Sequence, residues 1–221
     1  AALMIFATLV FVLGRRKYVH IPPTGKKILE EVLNAETLKI LARLCVIFVF
    51  VSMFFALFYQ SQSAWVLQAE NLDLRWLGIN WLPAQVQFVN SFYIIVMIPI
   101  FTYVIYPALN RVFRLTPLRK IGIGMFVTAL CFVVPAWIEI QLDQGNKPSI
   151  GWQFFAYILL TAGEILASIP VLEFAYTQAP KKLKTFVMSL YLLAISLGNV
   201  FSALVNEFIQ NPDGTSKLPG A

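Results

Sequence analysis

WQFFAYILLTAGEILASIPVLEFAYTQ, residues 152–178, is long enough to cross a bilayer and holds only two charged groups, Glu164 and Glu173. A hydrocarbon core of about 30 Å takes about 20 helical residues, so the run predicts a transmembrane helix with a carboxylate near its middle. At that depth a carboxylate costs about 2.5–3.5 kcal/mol on insertion scales, which turns Glu164 away from lipid. Tyr157, Thr161, Glu164 and Ser168 recur at intervals of four, three and four, one helix face, and so form a polar stripe toward a cavity or the bundle interior. A neutral, hydrogen-bonded carboxylic acid retained for packing is the alternative. Glu173 lies about two and a half turns further on and points to the opposite side. The two carboxylates are therefore no dyad, and a structural contact or a gating salt bridge at Glu173 competes with ligand binding.

Four more apolar runs of spanning length, 41–68, 84–109, 121–142 and 186–209, accompany this one in the 221 residues. With 59% hydrophobic and 13% charged residues the chain is far more apolar than a soluble domain, where about a quarter of residues are charged. The expected class is all-α integral membrane. Residues 1–13 are apolar from the first position and lack a basic leader and a small-residue cleavage site, which reads as the end of an earlier span in a longer protein.

Basic residues set the expected orientation, because Lys and Arg of short loops stay cytoplasmic. Of the 17, all but Arg75, Lys147 and Lys217 fall in the segments 14–43, 110–120 and 179–185, which alternate with the spans without conflict. The net charge of +6 is thereby accounted for as a positive rim and calls for no nucleic acid. A multi-pass protein of the bacterial inner membrane or plasma membrane, its basic loops cytoplasmic, is expected. In the cytoplasmic linker 14–40, Pro22, Pro23 and Gly25 interrupt any helix, and KKILEEVLNAETLK, residues 26–39, predicts an amphipathic helix with Ile28, Leu29, Val32 and Leu33 on one face. Residues 210–221 form an extracytoplasmic tail.

Cys45 and Cys131 lie in apolar runs and His20 stands alone in a basic loop, so neither a metal site nor a catalytic set is indicated. Pro99, Pro135 and Pro170 each remove a helical hydrogen bond inside a span, which favours a bend, static or gating. Ala194, Gly198 and Ser202, and Gly122 with Gly124, read as close-approach faces between helices.

Uncharged polar groups supply the functional signal. Tyr59, Gln60, Ser61, Gln62 and Ser63 are consecutive within one span, Gln87, Asn90 and Ser91 stripe the next, and Ser189, Ser196 and Asn199 stripe the last. Four spans thus offer amides, hydroxyls and one carboxylate to a shared interior, which suits a polar, hydrogen-bonding solute. A dense interhelical network without a ligand is the competing reading. No phosphate loop, metal spacing or catalytic triad appears at membrane depth, so transport is expected rather than enzymatic chemistry.

The stretch TAGEILAS…LEFAYTQAPKKLK, Thr161 to Lys184, resembles the tenth-helix signature of the proton-dependent oligopeptide transporter (POT) family of the major facilitator superfamily. FALFYQSQSAWVLQAE, Phe55 to Glu70, resembles the family's seventh helix, and VNSFYIIVMIPIFTYVIYP, Val89 to Pro107, its eighth. The resemblance implies an incomplete carboxy-terminal bundle: the end of helix six, the linker and helices seven to eleven, with helix twelve and the amino-terminal bundle elsewhere. It implies symport of di- and tripeptides with protons as the coupling ion and no other cofactor. Glu164, in the matching GE pair, would meet the peptide's amino terminus, and Asn90 would hydrogen-bond the peptide. Tyr59, Gln60, Gln62, Ser168, Tyr191 and Ser196 complete the candidate pocket, and Glu173, Pro170 and Pro99 are gating or structural candidates. The chain also departs from the family pattern. Tyr59 stands where an acidic residue is usual, Tyr191 where a tryptophan is common, Thr102 in place of an aspartate, and Pro170 one place late with Val171 for a glycine. A family member for a different solute, and a non-transporting sensor or scaffold, are the alternatives.

Overall fold

The computed structural model describes residues 2–17, 33–180 and 183–209. Residues 26–32 of the expected amphipathic linker helix therefore fall outside the described residues, as do His20, Lys181, Lys182 and the tail. Elements in chain order are α1 (Ala2–Gly14), α2 (Ala35–Phe58), α3 (Ala64–Glu70), β1 (Arg75–Trp76), β2 (Ile79–Asn80), α4 (Val86–Ile100), α5 (Tyr106–Val112), α6 (Pro117–Cys131), α7 (Val133–Asp143), α8 (Gly151–Gln178) and α9 (Lys184–Ile209). Five helical stretches, Ala35–Glu70, Pro83–Val112, Pro117–Asp143, Gly151–Gln178 and Lys184–Phe208, are long and apolar enough to span a membrane. The all-α membrane fold is as expected, with internal breaks that the runs did not display.

The first break corrects the expected span 41–68. Its helix starts earlier, at Ala35, because the Asn34 side chain accepts from the Glu36 amide at 3.1 Å and caps it, with Glu36 in the first turn facing the helix dipole. Residues 35–39 therefore belong to α2 rather than to the linker helix. The span then narrows into a 3-10 turn over Tyr59–Gln62 and restarts at Ala64 after Ser63, whose φ of −123° and ψ of −81° leave the helical region.

A second irregularity joins α4 to α5, where Phe101–Ile105 is a π-helical turn and the Tyr106 amide bonds the Phe101 carbonyl. Pro107 lacks the amide that the Tyr103 carbonyl would meet in α-register, and the wider turn accommodates that loss. Pro99, by contrast, sits exposed in a helix that continues past it. Between α6 and α7 the helix breaks at Phe132, three residues ahead of Pro135. Pro170 is buried in α8, which runs through it unbroken. Helix α7 ends in a Schellman motif: Gly145, at φ +79°, bonds Leu142 O at 2.9 Å and Asn146 N bonds Gln141 O at 3.0 Å.

Helix α8 is the centre of the bundle. In its most apolar window 61% is buried, against 11% in Pro83–Val112. Helices gain no hydrophobic drive from lipid, so they associate where small residues let backbones approach. Gly124 of α6 lies directly on the Gly163 and Ala167 backbone of α8, and Gly198 of α9 lies on Ser52 and Ala56 of α2. Ser202 seals the second crossing by donating to Ala56 O at 3.0 Å. The small-residue spacing of α9 thus forms the expected close face, whereas Gly122 meets open space. Large apolar side chains such as Val46, Phe50, Ile95 and Leu192 point outward, as a lipid-facing surface requires.

A hairpin tops α3 and α4, a feature the hydropathy runs did not suggest. Leu77 and Gly78 take φ of +52° and +76°, the two left-handed positions of a two-residue turn. The hairpin is tied to the start of α8: Asp73 N bonds Pro148 O and Ile150 N bonds Asp73 O, each at 3.0 Å, and the Trp76 ring packs against Gly151.

Candidate functional site

Breaking a helix at membrane depth releases backbone carbonyls that lipid cannot satisfy. The polar residues between Phe58 and Trp65 and their partners serve this need. Ser61 Oγ donates to Phe58 O at 2.7 Å and Tyr157 Oη donates to Ser61 O at 2.8 Å. Gln87 Nε2 donates to Gln62 O at 3.0 Å, and Gln153 Nε2 to Trp65 O at 2.7 Å. The run Tyr59–Ser63 therefore does not present side chains around a continuous helix, as expected from sequence. It is a gap whose carbonyls are filled from α4 and α8.

Below this patch, α8 and α4 meet at the carboxylate. Thr161 Oγ1, fully buried, donates to Asn90 Oδ1 at 2.6 Å, and Asn90 Nδ2 donates to Glu164 Oε2 at 3.3 Å. One helical turn further on, Ser168 lies beside Tyr191. Tyr191 also meets Phe48 and Phe55 edge-on at 6.1 and 6.2 Å, and Tyr59 stacks on Phe55 at 5.9 Å. A cavity of about 290 Å³, lined by Ser61, Gln62, Gln87, Phe88, Asn90, Ser91 and Tyr157, opens beside Asn90. One carboxylate fixed by an amide, next to hydroxyls and a cavity, can accept hydrogen bonds from an ammonium group and offer donors to a carbonyl.

The structure brings together Glu164, Asn90, Ser168, Tyr191 and Tyr59, and separates the other candidates. Ser196 is exposed and returns its hydroxyl to Leu192 O at 3.1 Å, away from Glu164. Ser189 behaves alike, bonding Thr185 O, so the stripe expected on α9 lies outside the site. Gln60 lines a separate cavity of about 550 Å³ between α3 and α7, together with Gln68 and Glu139. Gln62 enters the site through its carbonyl, its residue being exposed. Glu173 is exposed on α8, consistent with its position across the helix from Glu164. Among the described residues no three His, Cys, Asp or Glu gather where they could hold a metal ion.

Two groups escaped the sequence reading. Gln153 is completely buried and precedes Tyr157 by four, so the stripe on α8 runs one turn further than was read. Its Nε2 also approaches Gln68 Oε1 at 3.3 Å, and Gln68 in turn donates to Glu139 Oε2 at 2.6 Å, joining three spans near one end of the bundle. Glu139 is half-buried in this network. Replacing Tyr157 by Phe removes the donor to Ser61 O while keeping the ring. Interhelical hydrogen bonds of this kind contribute about 0.6–1.7 kcal/mol, and a drop in melting temperature of that equivalent, read on the purified protein in detergent, is expected.

These features define a multi-span helical membrane protein with a hydrogen-bonded polar interior built around one carboxylate. The chain belongs to the POT family: residues 31–219 match the family model described as PTR2, POT family. It is 29% identical over 189 residues to the peptide transporter PTR2 of Saccharomyces cerevisiae, covering 80% of this chain and 31% of that protein. Against human solute carrier family 15 member 1 it is 29% identical over 180 residues, 65% of this chain and 25% of the relative. The crystal structure of the POT family transporter PepTSo superimposes with a TM-score of 0.73 at 38% identity, covering 79% of this chain and 34% of that one. A second POT family crystal structure reaches a TM-score of 0.72 at 29% identity over 96% of this chain and 55% of its own. The chain thus spans about a third or less of the curated relatives it matches.

Proposed function

We propose that the full-length protein is a proton-coupled symporter of di- and tripeptides that works by alternating access, and that this chain supplies the carboxy-terminal half of its substrate site. The observation that carries the proposal is the Asn90–Glu164 pair: a carboxylate that membrane depth makes costly is oriented by an amide donor beside a polar cavity. In that setting its free oxygen receives the ammonium terminus of a peptide, and neighbouring amides and hydroxyls receive the peptide bond. The similarity to proteins named peptide transporters supports this reading. Protons, the peptide, the bilayer and the amino-terminal bundle of the same transporter are the partners, in a cell membrane with the basic loops cytoplasmic.

The test is uptake by the full-length protein in liposomes under an inward proton gradient. Accumulation of a labelled dipeptide that collapses with a protonophore is expected; no peptide-dependent flux would overturn the proposal. A second reading, transport of a different solute, is favoured by Tyr59, which stacks on Phe55 in a neutral aromatic cluster and adds no second carboxylate to the site. A ligand-stabilisation screen separates the two: no shift with peptides and a clear shift with another compound would select it. Saturable binding without flux would instead select a sensor.

A further inference from the structure

Asn90 can hold Glu164 only if its amide presents nitrogen and not oxygen, and the two ends of a side-chain amide differ in chemistry alone. We infer that Thr161 sets this orientation and is therefore a positioning residue for Glu164, an assignment that rests on the peptide-transport reading above. The Thr161 hydroxyl donates to Asn90 Oδ1 at 2.6 Å, the shortest link in the chain Thr161–Asn90–Glu164, and this leaves Nδ2 directed at Glu164 Oε2. Thr161 and Glu164 are three residues apart on α8, so the helix itself sets the separation between the group that turns the amide and the group that receives it.

Thr161 is 0% exposed, so water does not replace its hydroxyl as a donor. Without that hydroxyl the half-buried Asn90 Oδ1 loses its donor from α8, and rotation of the amide places oxygen against the Glu164 carboxylate, where two acceptors repel. Thr161 reaches the substrate only through Asn90. The other titratable groups of the neighbourhood are Tyr157 on the same helix, Tyr59 at the helix break and Tyr191 on α9. Tyr157 donates to Ser61 O at 2.8 Å and so does not substitute for Thr161.

The test uses the full-length transporter in liposomes, with dipeptide uptake as the readout. Thr161→Val keeps the branched shape and removes the donor; it is expected to raise the dipeptide concentration for half-maximal uptake about tenfold, while uptake at saturation falls less than about twofold. Thr161→Ser restores the donor and is expected to return half-saturation to within about twofold of the parent. In an Asn90→Ala background Thr161→Val is expected to add no further loss, because the residue it acts through is gone. Equal losses from Val and Ser, or additive losses with Asn90→Ala, would overturn the inference while leaving peptide transport standing. An unaltered parent that moves no dipeptide would instead overturn the reading on which the inference rests.

Discussion

Glu164→Ala in the full-length transporter is expected to weaken dipeptide binding at least about thirtyfold, with Glu164→Gln close behind it. Among the described residues the carboxylate is the only acidic group in the cluster formed by α4, α8 and the break in the span Ala35–Glu70, so no neighbour takes over its charge. Truncating one partner of a buried charged pair costs about 2–5 kcal/mol, and the lower figure corresponds to about thirtyfold. Glutamine retains the length of the side chain and an acceptor for Asn90 but not the charge, so a shared deficit assigns the effect to the charge. Binding of a labelled dipeptide to purified protein, with melting temperature as the check on folding, decides it. Parent-like affinity in the alanine variant would remove Glu164 from the site.

Gly124→Leu is expected to be the most damaging change to the fold. A Cβ at Gly124 would come within 2.6 Å of Ala167 N, 2.8 Å of Gly163 O and 2.8 Å of the Leu166 carbonyl carbon. All three are backbone atoms of the central helix, so no rotamer change relieves the contact and α6 and α8 must separate. Overpacking by a few methylenes costs about 1–3 kcal/mol, and because the crossing lies one residue from Glu164 the displacement also moves the site. Loss of a monodisperse peak in size-exclusion chromatography, together with loss of peptide binding, is the expected result. The matched control is Gly122→Ala, which meets nothing within 4 Å and gains helix propensity of up to about 1 kcal/mol. Equal tolerance of both substitutions would contradict the crossing.

Much of this architecture was legible because membrane depth imposes its own rules on sequence. Uninterrupted apolar length named the five spans, and the cost of a carboxylate in lipid singled out Glu164 before any neighbour was known. Its spacing with Tyr157, Thr161 and Ser168 gave the face correctly, since helical periodicity is local. The same periodicity misjudged α9, where Ser189 and Ser196 satisfy their own helix one turn back and need no partner. It also misjudged the run Tyr59–Ser63, because hydropathy averages over a 3-10 turn without registering it.

The solvent of this protein, its helical spans and the residue at its polar centre follow from composition or from spacing within one helix, and its family resemblance follows from three local stretches of sequence. Tertiary contacts decided which carbonyls the broken span Ala35–Glu70 exposes, that Tyr157, Gln87 and Gln153 answer them, and that Thr161 and Glu164 grip opposite ends of the Asn90 amide. Those pairings join residues 25 to 96 positions apart. The approach of α6 to α8 at Gly124 is likewise a distance between backbones, which spacing within a single helix does not encode.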